Sequence, residues 1–499
     1  MATTLATPGV YIEEKSSFGS SVVPVKTAIP AFIGYTSKAT RGSKDLTNVP
    51  TKISSLGQFE ELFGGAPQTK FNIEANDSTV GFKLSFVDST RFMLHSSMRL
   101  FYANGGADCY IVSVGNYSEK IDAAKLNDPT GSGLTTLEKY LEPTIVVIPD
   151  AILLDENDCY SLQASMIQHC GYKLKNRFAI LDVYRGAQER TFDEQDAVDT
   201  FRNGVGANFL QWGAAYYPFL HTTVINKSEI DFTRITNLDG LVEVLSKEVA
   251  QNLEADNITG PRSEGITAEI NKIPETTDSD GVNSLNSTLT VISPSLNLIL
   301  AEISEMLNLL PPSAAMAGAY TMVDSAASVA QSPANISLGS VIAPAININN
   351  DNQEDLNLPL NGKAVNAIRT FQGKGVLVWG ARTLEGNSKD YRYISVRRTM
   401  TFLEQSIKSA AEAFVFAPNN ATTWSTLSAT VSSFLSNQWQ SGLLAGQSAE
   451  DAFVVEIGLG ATMTPNDILD GILKMTVKVA ITRPAEFIVI TFEQQQQKS

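Results

Sequence analysis

Residues 145–148 read Ile-Val-Val-Ile and residues 178–181 read Phe-Ala-Ile-Leu, and these two runs decide the fold class. Continuous apolar runs of this length are typical of strands that are buried on both faces of a parallel sheet. The segment between them carries Leu162, Met166 and Cys170 at helical spacing. A strand, a helix and a strand in this order predict a right-handed βαβ unit, and hence an α/β layer.

Further elements extend this layer along the chain in both directions. Residues 31–35 are predicted as a buried strand, residues 56–63 as a short helix stopped by Gly64, and residues 376–380 as another strand. A chain of 499 residues is long enough for about two to four domains. The predicted fold class is therefore α/β, with α and β elements mixed, in a multi-domain chain.

The last third of the chain has the strongest pattern. Apolar side chains fall on one helical face in residues 400–414 and again in residues 424–435, which predicts two packed helices. Thr464 followed by proline is typical of a helix start, so a short helix is predicted over residues 465–471. Alternating apolar and polar residues then predict a strand over residues 473–481.

Two stretches are polar enough to be predicted as surface segments. Between residues 225 and 295 the composition shifts to Thr, Asn, Ser, Asp and Glu, and we expect a surface insertion with modest structure of its own. The second stretch, Asn347 to Asn357, is rich in Asn and Asp and is predicted as a loop.

Both ends of the chain have the pattern of a strand. Residues 10–13 alternate and precede a serine- and glycine-rich stretch, whereas residues 487–492 are apolar and follow Pro484. An uncovered apolar strand promotes aggregation, so each end needs a partner sheet. The pattern leaves two alternatives open. Each end either completes the sheet of its own subunit or adds a strand to a neighbouring copy.

Composition excludes several classes of partner. The net charge of −16, from 37 basic and 53 acidic residues, disfavours binding to nucleic acid or to an anionic membrane. No apolar run approaches the ~20 residues of a membrane span, and no signal peptide is visible, so synthesis and assembly in the cytoplasm are expected. Cys109, Cys159 and Cys170 are too few for a disulfide framework and are predicted as buried thiols.

The sequence predicts no catalytic, cofactor or metal site, and hence no enzyme. His95, His169 and His221 are the only histidines, and none has the spacing of a metal site or of a nucleophile with its base. Residues 373–375 and 204–206 contain paired glycines but lack the rest of a phosphate or dinucleotide loop, so both are predicted as turns.

Five charged residues cluster in sequence around the strand at 376–380. They are Arg382, Arg392, Arg397, Arg398 and Glu404. Because arginine forms bidentate pairs with carboxylates, such a cluster could fix one domain or subunit against another. The alternative is a set of surface pairs, each contributing about 0–1 kcal/mol.

Several segments, in order along the chain, resemble contractile tail sheath proteins, and the chain is most similar in overall look to sheaths of extracellular injection particles. The segments are 8–14, 312–318, 332–335, 366–369, 378–384, 393–398 and 484–487. The insertion at 225–295 falls outside the resemblance. Residues 326–331 depart from it, because many relatives have a glycine and a tryptophan before the Pro-Ala-Asn segment at 333–335.

The resemblance implies an organisation in domains and arms. Residues 1–20 would be an N-terminal extended arm, and residues 21–360 an outer or middle α/β domain with the insertion facing outward. Residues 361–483 would form, together with the N-terminal segment, the conserved inner sheath domain. Residues 484–499 would be a C-terminal arm.

The resemblance also implies that the arms are exchanged between neighbouring copies, which favours strand addition. The contact residues would be Pro8, Gly9, Val10, Tyr11, Ile12 and Glu13 in the first arm, and Phe487, Ile488, Val489, Ile490, Thr491 and Phe492 in the second. Asp467 and Lys474, at the short helix, are candidates to face an inner tube, with local packing as the alternative.

The implied function is that of a structural sheath subunit. Copies would stack as hexameric rings into a helical polymer around an inner tube and contract to drive the tube through a target envelope. The implied partners are further copies, the inner tube protein, and baseplate and terminal cap proteins, without nucleic acid, membrane insertion or a cofactor, in a particle that is either released or membrane-anchored. The alternatives are an α/β enzyme with a regulatory domain, which predicts a titratable cleft, and a shell or surface-layer protein.

Overall fold

The computed structural model describes residues 22–76, 81–256 and 261–489, and the side chains of residues 253–256 are outside this description. The predicted arm residues Pro8 to Glu13 and Ile490 to Phe492 therefore lie outside the described residues. The chain divides into two compact units. In the described part, the small unit comprises residues 22–25 and 399–482, and the large unit comprises the rest of residues 26–398 together with residues 483–489.

The strands of the described residues occur mostly in the large unit. In chain order they are β1 (Pro30–Thr36), β2 (Thr40–Arg41), β3 (Lys44–Asp45), β4 (Thr51–Ile53), β5 (Phe71–Ala75), β6 (Phe82–Phe86), β7 (Cys109–Asn116), β8 (Asn127–Asp128), β9 (Ser132–Gly133), β10 (Ile145–Val147), β11 (Phe178–Asp182), β12 (Gly213–Tyr217), β13 (Leu220–Thr222), β14 (Leu309–Leu310), β15 (Val341–Pro344), β16 (Asn366–Phe371), β17 (Gly375–Trp379), β18 (Phe453–Ile457) and β19 (Met475–Val479).

The α-helices alternate with the strands through most of the chain. They are α1 (Leu56–Phe63), α2 (Leu94–Ala103), α3 (Ala123–Leu126), α4 (Glu156–Gln168), α5 (Ala197–Gly204), α6 (Leu238–Asp256), α7 (Pro261–Ile270), α8 (Ser279–Ile292), α9 (Pro294–Leu307), α10 (Ser313–Ala326), α11 (Asn350–Asn357), α12 (Ile394–Glu412), α13 (Ala421–Gln440), α14 (Ala449–Ala452) and α15 (Pro465–Leu469).

An eight-stranded sheet forms the centre of the large unit, with strand order β17-β16-β12-β11-β10-β1-β7-β4. The pairs from β7 to β16 are parallel, and β4 and β17 pair antiparallel at the two edges. β10 and β11 are parallel neighbours joined by α4, with Ile145 opposite Phe178. The predicted βαβ unit and the mixed α/β fold are therefore confirmed.

Both faces of this sheet are buried, which explains the continuous apolar runs in the sequence. Val146 lies in a cluster with Leu162 of α4 and Phe201 of α5. Its neighbour Val147 lies in the opposite cluster, with Phe101 of α2. Because successive side chains of a strand point to opposite faces, a strand covered on both sides must be apolar at every position.

Two buried carboxylates hold helices at the carboxyl ends of neighbouring strands. Asp150, which follows β10, accepts hydrogen bonds from the backbone N of Tyr35 at 2.9 Å and of Met93 at 2.7 Å. Asp182, the last residue of β11, accepts from the backbone N of Ser313 at 2.8 Å and from its Oγ at 2.5 Å. These bonds fix the starts of α2 and α10 over the sheet. Burial raises the pKa of Asp150 to about 6 and that of Asp182 to about 7.

Replacing Asp182 with asparagine is expected to make stability less sensitive to pH. The folded-state pKa lies above the unfolded value, so the contribution of Asp182 is fully present below about pH 4 and is lost as the pH rises toward about 7. Asparagine mimics the protonated carboxyl, so the variant gains on the wild type by up to about 1.4 kcal/mol per pH unit in this window. Urea denaturation across this range measures the difference. The exposed Asp390→Asn is the control, and parallel profiles for Asp182→Asn and the wild type would contradict the prediction.

The segment at 225–295 has more structure than the sequence predicts. It contains α6, α7 and α8 and the start of α9, whose buried residues Leu241, Leu289 and Leu296 belong to a third core cluster. The hairpin β5–β6 closes this cluster, and the Oδ1 of Asn237 accepts from the backbone N of Ile73 at 2.9 Å. The prediction of modest structure was wrong because the sparse apolar residues form a core only when this distant hairpin covers them.

The polar stretch predicted as a loop at Asn347–Asn357 also contains a helix, α11. Asn349 caps it, because its side chain accepts a hydrogen bond from the backbone N of Asn352 at 2.8 Å. Leu356 is its fully buried residue and packs against the main core. One apolar residue in a short polar helix gives no periodic signal, and this is why the helix was missed.

The small unit confirms the elements predicted for the last third of the chain. Phe402 of α12 and Phe434 of α13 lie with their ring centroids 6.1 Å apart, and Leu403, Leu427 and Val431 are buried around them. β18 and β19 form an antiparallel pair beside α13. Within the inner domain that the resemblance implies at 361–483, residues 399–482 belong to the small unit, and β16 and β17 belong to the sheet of the large unit.

Candidate assembly surfaces

The cysteines and one histidine are buried parts of the core. All three thiols are free and buried, as predicted, and burial raises the pKa of Cys109 and of Cys170 to about 12. Burial, together with the charge of Arg177, lowers the pKa of His169 to about 3. Within residues 22–76, 81–256 and 261–489, no group of three or more His, Cys, Asp or Glu side chains could hold a metal ion.

A polar surface cavity of about 590 Å³ lies at the carboxyl ends of β1 and β7. Half of its lining residues carry a hydroxyl or amide side chain, including Ser37, Asn48 and Ser113. Lys125 and Glu119 also line it, and they pair with each other. None of the described lining residues is a histidine or a cysteine.

The described start of the C-terminal arm is an uncovered apolar segment. Phe487, Ile488 and Val489 are 67%, 80% and 88% exposed, and no strand is assigned to them. Three consecutive large apolar side chains in water are unfavourable by roughly 25 cal/mol per Å² of exposed apolar surface. Such a segment is typical of an interaction site.

The small unit offers sheet edges. β18 and β19 pair only with each other among the described residues, so each has an edge without a strand partner. Met475 and Val477 on one face of β19 are half-buried, whereas Thr476 on the other face is exposed. A two-stranded sheet is marginally stable by itself, and an open edge accepts a further strand.

The charged residues that cluster in sequence differ in their burial. Arg382, Arg397 and Arg398 are buried in the large unit, whereas Glu404 is exposed in the small unit. The guanidinium of Arg397 lies 4.2 Å from the ring centre of Trp212 and 4.8 Å from that of Tyr391.

Arg382 is 1% exposed and makes a bidentate pair with Glu486. Its Nε lies 2.9 Å from Oε1 and its NH2 lies 2.7 Å from Oε2 of the carboxylate. Asn357 and Tyr393 also donate to this carboxylate, each at 2.9 Å. Burial would raise the pKa of Glu486, but the hydrogen bonds from Arg382, Asn357 and Tyr393 outweigh it, and its pKa lies below the usual value.

Arg398 is fully enclosed by its own set of partners. Its two terminal nitrogens lie 3.0 and 2.6 Å from the carboxylate of Asp324, and NH2 also donates to the backbone O of Thr27 at 3.1 Å. The guanidinium stacks 4.7 Å from the ring centre of Tyr320, whose hydroxyl bonds that of Tyr216 at 2.8 Å. Sequence reasoning missed the partners Asp324 and Glu486 because they lie 74 and 104 residues away from their arginines.

Asp467 and Lys474, the candidate tube-facing residues, pair with each other at 2.5 Å. Asp467 also accepts from the N and Oγ of Thr464, both at 2.8 Å, in the capping box that starts α15. Lys474 and these cap bonds lower the pKa of Asp467 to about 2. Leu469, two residues after Asp467, has an apolar side chain that is 83% exposed. The pair thus fixes the start of α15, beside an apolar surface residue.

No helix among the described residues is long and apolar enough to cross a membrane.

Comparison with known proteins finds a family model that matches the end of the chain and solved structures that match nearly all of it. Residues 387–495 match the family model described as the phage tail sheath C-terminal domain. A search of curated proteins finds no match.

Three solved structures of contractile assemblies resemble nearly the whole chain. The PVC sheath complex of an extracellular contractile injection system, in the contracted state, is 27% identical, with 99% of both chains covered and a TM-score of 0.59. The anti-feeding prophage helical sheath in its contracted state is 26% identical, covering 99% of this chain and 100% of that one, with a TM-score of 0.60. A chain of the anti-feeding prophage baseplate is 25% identical at the same coverage, with a TM-score of 0.59. The resemblance predicted from the sequence is confirmed, because residues 387–495 match the model of a phage tail sheath C-terminal domain and the chain has the fold of contractile injection system sheaths.

Proposed function

We propose that this protein is the structural sheath subunit of a contractile injection apparatus. Copies stack as hexameric rings around an inner tube, and the polymer contracts to drive that tube through a target envelope. The observation that carries the proposal is the combination of an uncovered apolar segment at Phe487 to Val489 with the open edges of β18 and β19. The similarity to two sheaths in the contracted state supports it.

The subunits are held together by exchanged arms. The first arm, Pro8 to Glu13, and the second arm, Phe487 to Phe492, each add a strand to a sheet of a neighbouring copy. Backbone hydrogen bonds then pair the open edges of that sheet, and the apolar side chains lose their contact with water. The arms keep neighbours connected while the rest of each subunit rotates and repacks.

Contraction draws its energy from contacts between subunits. The sheath assembles in an extended state of higher free energy, and the baseplate releases it into the contracted one. Many small interface gains, repeated along the polymer, add up to a large mechanical output. The function is therefore structural, without an enzymatic step.

The proposed partners are further copies of the chain, the inner tube protein, and baseplate and terminal cap proteins. The similarity to a chain of a baseplate structure supports the baseplate contact. We place the tube contact at α15, with Asp467 and Lys474 beside the exposed Leu469. Assembly takes place in the cytoplasm, and the particle is then released or held at a membrane.

Negative-stain electron microscopy of the protein, expressed alone and with its genomic neighbours, tests this function. Ribbed hollow tubes in long and short forms are expected. Closed shells or flat patches would instead indicate a shell or surface-layer protein. Small monodisperse particles under all conditions would overturn the proposal and return attention to the polar cavity at β1 and β7 as a candidate enzyme site.

A further inference from the structure

The chain crosses between the two units three times, and the last crossing precedes the C-terminal arm. It leaves the large unit at Arg398, returns to it at Arg483, and runs from the small to the large unit near Lys26. Thr482 is still fixed in the small unit, because its backbone N donates to the O of Leu443 at 3.1 Å. The exposed Arg483 separates this bond from the contacts of Glu486 in the large unit.

Glu486 accepts four side-chain hydrogen bonds although it is partly exposed. The side chain is 19% exposed, yet both carboxylate oxygens are bonded, one by Arg382 and Asn357 and the other by Arg382 and Tyr393. Charge-assisted bidentate pairs are the strongest and most directional hydrogen bonds that side chains make. The carboxylate is therefore fixed in orientation as well as in place.

The groups that hold Glu486 are themselves fixed. Asn357 is the last residue of α11, and Asp355, two residues earlier, accepts from the NH1 groups of Arg190 and Arg202, both at 2.9 Å. Both of these arginine side chains are almost fully buried. Arg382 in turn donates to the backbone O of Asn357 at 3.2 Å. The carboxylate thus binds to a rigid part of the large unit.

The contacts of the chain with the large unit end abruptly at Glu486. The side chain is bonded on both oxygens, whereas the next three side chains, Phe487 to Val489, are mostly exposed. One peptide bond separates the last fixed residue from the first residue of the predicted strand. No spare chain is therefore available between the two.

We propose that Glu486 is the anchor from which the C-terminal arm is positioned, so that the arm follows the large unit and not the small one. This inference rests on the proposed function, because it assumes that the arm joins a neighbouring copy. A strand advances about 3.3 Å per residue, so the sheet edge that accepts Phe487 to Phe492 must begin within a few ångströms of Glu486 and extend about 20 Å from it.

Two insertions of the same length separate anchoring from mere connection. A three-residue insertion, Gly-Ser-Gly, between Glu486 and Phe487 leaves the anchor bonded but shifts the arm by about 10 Å. Tubes are therefore expected to be lost. The same residues between Thr482 and Arg483 lie before the anchor, which still sets the position of the arm, so tubes are expected to form as in the wild type. Equal outcomes for the two insertions would overturn the inference.

Hydrogen exchange of the unassembled subunit tests the anchor without any tube. In Glu486→Ala, peptides that cover residues 354–358 at the end of α11 are expected to exchange at least about tenfold faster, because Asn357 and Arg382 lose the carboxylate that holds them to the segment. Glu138→Gln, which breaks the exposed pair with Lys173 in the same unit, is the matched control and should leave these peptides unchanged. Unchanged exchange in Glu486→Ala would overturn the anchor.

The two readouts also separate this inference from the proposed function. Faster exchange in Glu486→Ala with normal tubes would refute the positioning role and leave the sheath function standing. Absence of tubes from the wild type would refute the sheath function and with it the role in assembly, and the exchange rates would still decide whether Glu486 anchors the segment.

Discussion

A chain that ends at Glu486 is expected to fold as the full-length subunit does and to form no sheath. Of the residues that the deletion removes, the structure describes Phe487 to Val489, whose side chains are exposed and contribute little to the core. The ion pair between Arg382 and Glu486 stays in place. What is lost is the strand that the arm would add to a neighbouring copy, and with it the hydrogen-bonded connection between copies.

Two further truncations serve as comparisons for this result. Deletion of Met1 to Lys15 removes the first arm and is expected to have the same effect. Deletion of residues 493–499, the Gln-rich tail, keeps Phe487 to Phe492 and should leave assembly intact. Circular dichroism and thermal unfolding report folding, and electron microscopy reports tubes. Normal tubes from the chain that ends at Glu486 would refute the arm hypothesis.

The local sequence pattern was enough to predict the strands that are buried on both faces and the helices that are buried along one face. β10 and β11 are covered on both faces, so burial shows in the sequence as continuous apolar runs. The two helices of the small unit each bury one face, which shows as helical periodicity in residues 400–414 and 424–435. The start of α15 was predicted from Thr464 and Pro465, because capping chemistry is local in sequence.

What depends on distant parts of the chain was not predicted. The place of β16 beside β12 and the cover that β5–β6 gives to the helices of residues 238–307 both involve contacts between segments far apart in sequence. The Pro-Ala-Glu-Phe segment contains Glu486, but nothing in that segment indicates which arginine the carboxylate binds. The bonds of Arg382 and Arg398 go to Glu486 and Asp324, which lie 104 and 74 residues away in sequence.

Arg398→Met is expected to lower the unfolding free energy of the large unit by about 3–5 kcal/mol, the largest stability effect among these predictions. The side chains of Arg398 and Asp324 are 5% and 4% exposed, so the variant leaves a carboxylate buried without its cation. The backbone O of Thr27 and the ring of Tyr320 also lose the guanidinium that they contact. Urea denaturation of the isolated subunit measures the loss.

The double variant Arg398→Met with Asp324→Leu separates the cost of an unpaired charge from the contribution of the pair. When both charges are replaced by apolar side chains, no buried charge is left without a partner, and such replacements are often nearly neutral. We therefore expect the double variant to recover most of the lost stability, while Lys173→Met, in an exposed pair with Glu138, changes it by less than about 1 kcal/mol. A loss in Arg398→Met as small as that of Lys173→Met would show that the buried pair does not stabilise the fold. Because Arg398 also bonds Thr27, where the chain enters the large unit, recovery of stability without recovery of tube formation would assign this arginine a second role in fixing the entry of the chain.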